Sequence, residues 1–123
     1  MRNARLTAII ALLAIGPLAN PAHAAVFKTG TDIQTACSVA DPHAANFNPY
    51  ASGLCIGYID GAVDGYEEMR NALSKPECVP DGTQTKDIVG VVVDYLRAHP
   101  GELKELAARS VILAIKARWS CSP

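Results

Sequence analysis

Residues 53–68 read GLCIGYIDGAVDGYEE, and the reading of this stretch decides the fold. Cys55, Ile59, Ala62, Tyr66 and Met69 recur at alternating spacings of four and three, which is the period of one helix face. The pattern predicts a helix from about Ala51 to Leu73. Lys75-Pro76 stops it, because the residue before a proline avoids the helical region. Within the same stretch Gly53, Gly57, Gly61 and Gly65 recur every four residues. Each interior glycine costs a helix roughly 1 kcal/mol relative to alanine. On a wheel of about 100° per residue, Gly57, Gly61 and Gly65 fall opposite the apolar side, interleaved with Asp60, Asp64 and Glu68. Such spacing permits close contact, and two readings stay open. Either another helix of the same chain packs there, or a shallow, acid-rimmed groove of Gly57, Asp60, Gly61, Asp64 and Gly65 admits a partner.

Outward from this helix, three more helical segments are expected. Residues 31–39 form a short one, with Ile33, Ala36 and Cys37 on one side. A polar, Asn/Pro-rich loop, ADPHAANFNPYAS, separates it from the glycine helix. The turn-rich ECVPDGT leads to a third helix that starts near Thr83, whose hydroxyl can cap it, and ends at His99-Pro100-Gly101. Val91–Val93 has strand composition, but Ile88, Val92, Tyr95 and His99 keep helical spacing and a lone strand would have no partner. A fourth helix is expected from Glu102 to Trp119. Its Leu103, Leu106, Ala107, Ser110, Ala114 and Ala117 form one apolar face, with Ile112, Ile115 and Trp119 on the opposite side. The second set is either core, with Trp119 folded over a nearby disulfide, or an exposed apolar patch that meets a partner.

The start of the chain has the layout of a secretory signal peptide. Residues 1–24 run from a basic segment with Arg2 and Arg5 through LTAIIALLAIGPLA to the small-x-small exit Ala22-His23-Ala24. The mature part is therefore expected to be one domain over 25–123. Without Arg2 and Arg5, nine Lys+Arg face twelve Asp+Glu, a net charge of −3 against −1 for the whole chain. That balance argues against nucleic acid and anionic membranes as partners. The four cysteines are Cys37, Cys55, Cys78 and Cys121, with no C-x-x-C spacing. An even number in an exported chain points to two disulfides rather than metal or thiol-redox chemistry, and no cofactor or metal is expected.

Topology suggests the pairing. If the last three helices run up, down and up, Cys37 and Cys55 lie at one end of the bundle, and Cys78 and Cys121 at the other. A Cys55–Cys78 bridge would have to span a helix of about 20 residues, roughly 30 Å. The expected fold is a small, all-α, four-helix, up-and-down bundle stapled by Cys37–Cys55 and Cys78–Cys121.

Four ordered blocks resemble a known family: C-x-G-Y-I-x-G-x-x-D at 55–64, C-V-P-D-G-T at 78–83, V-V-x-Y-L-R-A-H-P at 92–100, and the closing cysteine at 121. They are similar to the Rap/Tai family of periplasmic immunity proteins, which are paired with type VI secretion amidase effectors. Two positions depart from its pattern: Trp119-Ser120 stands where members carry an aromatic-proline pair, and Lys86 where they often carry glutamine. The resemblance implies a periplasmic amidase inhibitor that occludes the effector's catalytic cleft and does no chemistry itself. It also implies a homodimer, for which Ile112, Ile115 and Trp119 are the expected face.

The residues agree with a non-enzymatic role. The mature histidines are only His43 and His99, and no serine or aspartate sits in a recognisable triad motif. Asp60 and Asp64 could in principle act as acid and base or bind a cation, but nothing near them in sequence supplies a nucleophile or a third ligand. The competing reading is a small periplasmic acid-stress chaperone. Such a protein would expose apolar surface and suppress aggregation in acid.

Overall fold

The computed structural model describes residues 28–121, and the leader expected over 1–24 lies outside them. Four helices follow in order: α1 Gly30–Ser38, α2 Pro49–Ala72, α3 Thr85–Ala98 and α4 Ala107–Trp119, with a short 3-10 helix at Pro100–Lys104 between the last two. Among the described residues there is no strand, only an isolated antiparallel bridge between Thr29 and Leu106.

Local chemistry sets the helix starts. Thr29 and Asp32 close a capping box: the Asp32 backbone N–H donates to the Thr29 hydroxyl, and the Thr29 N–H donates to the Asp32 carboxylate at 2.8 Å. The Thr29 N–H and then its hydroxyl hold the Asp32 carboxyl below its ordinary value. α2 begins two residues before the predicted start. Asn48 caps it by accepting from the Ala51 N–H at 3.0 Å, and Pro49 takes the first position, where a missing N–H costs nothing. α3 departs from expectation. It begins at Thr85 after Gln84, which makes no side-chain cap, while the Thr83 hydroxyl donates to the Pro80 carbonyl at 2.6 Å. Thr83 therefore closes the preceding turn and does not cap the helix.

The last helix is also shorter than predicted. Pro100 starts a 3-10 turn, Glu105 is extended and Leu106 is not helical, so α4 begins at Ala107. That break lets the chain at 28–30 pair alongside: Gly30 N–H donates to Glu105 C=O at 3.0 Å, and Ala107 N–H donates to Lys28 C=O at 2.8 Å. Gly30 is required here, because a Cβ on it would lie 2.5 Å from the Glu102 carbonyl oxygen.

The core is built from one stripe of each helix: Ile33 and Ala36, then Cys55, Ile59, Val63 and Tyr66, then Ile88, Val92 and Leu96, then Ala107, Val111, Ala114 and Ile115. Cys37–Cys55 and Cys78–Cys121 are the two disulfides, with Cα atoms 5.0 and 5.1 Å apart, and no free cysteine is found among the described residues. In the chain-entropy model they stabilise by about 3 and about 4 kcal/mol.

Two sequence expectations about the core are corrected. On α2, Val63 takes the inward place expected for the half-buried Ala62, Met69 is 51% exposed, and Arg70 takes the inward position at 4%. The stripe keeps to spacings of four and three through Ile59, Val63 and Tyr66, and the next inward step is 70. On α4, Leu106 is exposed and Ala117 faces solvent, whereas Ile115 is fully buried. Starting the wheel at Glu102 had rotated the predicted face, because residues 102–106 are not part of this helix.

Arg70 is accommodated by polar partners. Its Nε donates to the Pro76 carbonyl at 3.0 Å, and its guanidinium lies 5.6 Å from the Tyr66 ring centroid. Next to it the Glu67 carboxylate accepts from the backbone N–H groups of Cys78 at 3.0 Å and Val79 at 2.8 Å. This pair folds the 73–84 connection back along α2 and seats Cys78 for its bridge to Cys121.

Candidate functional site

The outward side of α2 lies opposite the buried Cys55–Ile59–Val63–Tyr66–Arg70 stripe. Gly53, Gly57, Gly61 and Gly65 are all exposed on it. Among the described residues, a Cβ at any of the four would meet no atom within 4 Å beyond its chain neighbours and the helix's own backbone. The intramolecular reading of these glycines is therefore excluded among the described residues: no helix of the bundle approaches them. Four glycines reduce the intrinsic helix propensity of α2 by roughly 4 kcal/mol relative to alanine, with no packing gain among the described residues.

Geometrically the result is a smooth strip. From Gly53 to Gly65 the helix rises roughly 18 Å, and its backbone is reachable between flanking side chains. Tyr50, 83% exposed, stands at one end, and Glu68 at the other. Asp64 is exposed on the strip and Asp60 half-buried at its edge. The five residues expected to form the groove, Gly57, Asp60, Gly61, Asp64 and Gly65, thus do share this side of one helix. Such a surface can receive a partner's backbone or a flat side chain at short range, with carboxylates placed to meet cations. It holds no nucleophile. Among the described residues no group of three or more His, Cys, Asp or Glu could hold a metal ion.

The second expected surface is not assembled. Ile115 belongs to the core, while Ile112 and Trp119 are half-buried and pack against it. The Arg118 guanidinium covers the indole at 5.5 Å from its ring centroid. The cause is the rotation of α4 just described, which turns Ile115 inward beside Val111 and Ala114. The open apolar patch predicted on α4 is absent among the described residues.

Sequence reasoning missed Glu67 and Arg70, although the signal was present. Counting the apolar stripe onward from Tyr66 by four lands on Arg70, and a cation on an apolar stripe announces a buried polar network.

A family model for Rap1a immunity proteins matches residues 29–121, which is nearly all of the described chain. The chain belongs to the Rap1a immunity protein family. Comparison with curated proteins and with solved structures gave no match. The match begins at Thr29, the N-cap of α1, and ends at Cys121, so the Rap1a domain coincides with the disulfide-closed bundle. Membership brings an immunity role, in which such a protein binds a secreted effector. Among the described residues no helix is long and apolar enough to cross a membrane.

Proposed function

We propose that this Rap1a protein is exported to the periplasm and there binds and occludes a peptidoglycan amidase delivered by type VI secretion. The observation that carries the reading is the glycine strip of α2. Evolution of a free helix surface gains nothing from four open glycines, whereas a surface approached closely by another protein does. Asp60, Asp64 and Glu68 give that surface a negative edge, which favours a partner with basic groups around its cleft and speeds their encounter.

Export is supported by the leader layout of residues 1–24 and by two disulfides, which persist in oxidising compartments. An amidase target is supported by the four sequence blocks shared with the Rap/Tai proteins. Occlusion needs no chemistry from the inhibitor, only a rigid face held by the core and the bridges.

The test is direct. The purified, oxidised protein is added to each secreted peptidoglycan amidase encoded in the same genome, and release of peptidoglycan peptides is followed. One equivalent should abolish cleavage. Full cleavage with excess protein present would remove the amidase reading.

A further inference from the structure

The last turns of α2 carry a polar network that the proposed contact surface does not use. After α2 the chain reverses at Ser74, which sits in the left-handed region at φ 55°, and runs back along the helix. Contacts that do not involve Cys121 fasten this connection. Lys75 N–H donates to Arg70 C=O at 2.9 Å, and Arg70 Nε donates to the Pro76 carbonyl at 3.0 Å. The Glu67 carboxylate accepts from Cys78 N–H through both oxygens, each at 3.0 Å, and from Val79 N–H at 2.8 Å. Arg70 Nε lies 3.9 Å from that same carboxylate.

Both cysteines of the second bridge are thus placed by contacts other than the bridge. Cys78 is buried and held through its backbone by a carboxylate, and such charge-assisted bonds are roughly twice as strong as neutral ones. Cys121 follows closely on α4, whose Val111, Ala114 and Ile115 are buried in the core. The first bridge is built differently. Its Cys37 lies in the last turn of α1, a helix of 9 residues and too short to persist alone. Its Cys55 lies on α2, roughly 18 Å along the helix axis from Glu67.

We infer that Glu67, backed by Arg70, is a positioning residue for oxidation: it holds Cys78 beside Cys121 before the bridge exists. In the dithiol state one thiolate of the pair attacks a sulfur of a small-molecule disulfide, such as glutathione disulfide, and expels a glutathione thiolate. The other protein thiolate then attacks the protein sulfur of the mixed disulfide and expels the second glutathione. Two protein thiols are oxidised, one external disulfide is reduced, and the two thiol protons pass to the released glutathione thiolates. A connection already ordered by Glu67 gives the two thiols a high effective concentration. Without the carboxylate, closing the bond must itself order that segment, at the cost of its chain entropy. The clasp acts on the fold whatever the protein binds, so it stands apart from the inhibitor role.

The test reads the two bridges separately in one molecule. The protein is equilibrated in glutathione redox buffers, free thiols are trapped by alkylation, and peptide mapping gives the oxidised fraction of each pair. Glu67→Ala should lower the effective concentration of the Cys78–Cys121 thiols about tenfold, as loss of hydrogen bonds to a charged acceptor requires. Cys37–Cys55, distant from the change, should stay within about twofold of the wild type. Glu67→Gln keeps an amide oxygen that can accept an N–H, so its Cys78–Cys121 value should lie above that of Glu67→Ala. Ile59→Ala weakens the core without touching the clasp and should affect the two bridges alike, which is the signature of a merely structural change. An unchanged Cys78–Cys121 in Glu67→Ala, an equal fall at both bridges, or a Glu67→Gln no better than Glu67→Ala would overturn the inference.

Discussion

The two sides of α2 follow opposite rules. The inner side packs Cys55, Ile59, Val63 and Tyr66 into the core and ends in Arg70, held by the Pro76 carbonyl and the Tyr66 ring. The outer side exposes four glycines at which an added Cβ would meet no other element among the described residues. The inner side gains stability from contact. The outer side gives up helix propensity and keeps open space among the described residues. One helix thus carries the fold on one face and the proposed contact surface on the other.

Substitutions on the two sides should therefore differ in sign. The largest effect is expected for Ile59→Ala, which empties a fully buried site and should lower the unfolding free energy by about 3–4 kcal/mol in urea or guanidinium titration. A loss under 1 kcal/mol would mean the inner side is not the core. Arg70→Met is expected to cost about 1–3 kcal/mol, because the Pro76 carbonyl loses its donor and the Glu67 carboxylate its neighbouring cation. Asn48→Ala removes the cap of α2 and should cost about 1 kcal/mol. On the outer side the sign reverses: Gly61→Ala should raise stability by up to about 1 kcal/mol. A destabilised Gly61→Ala would mean that this side is packed after all.

A smaller, pH-dependent effect belongs to α1. The Asp32 carboxyl is held below its ordinary value of 3.8, so its charged cap stabilises the folded state fully above about pH 4 and fades as pH falls through the lowered value. The stability difference between wild type and Asp32→Asn should follow that course. A difference that persists undiminished in strong acid would place the effect elsewhere.

Much of this was legible in the sequence, for physical reasons. The four-helix, all-α fold follows from apolar periods of three and four, and both disulfides follow from where helix ends must meet. The glycine side was legible as well, because glycine at a spacing of four leaves no side chain to argue about. What the sequence left open was whether another helix of the same chain lies on that side, since that depends on how the bundle packs. The failures have one origin, the phase of a helix. Extending α4 back to Glu102 hid a proline-started 3-10 turn and rotated Ile115 outward, and choosing Met69 over Arg70 assumed that a cation stays outside. Thr83 looked like a cap by type, yet its hydroxyl was already committed to the Pro80 carbonyl.

Gly61→Leu tests the central claim most directly, because the same variant reads both sides of the comparison. Its unfolding free energy should equal or exceed that of the wild type, as open space and better helix propensity require. Inhibition of the proposed amidase target should be lost, because a branched side chain now stands where the partner's surface must come close. A stable Gly61→Leu that still abolishes cleavage at one equivalent would contradict the account.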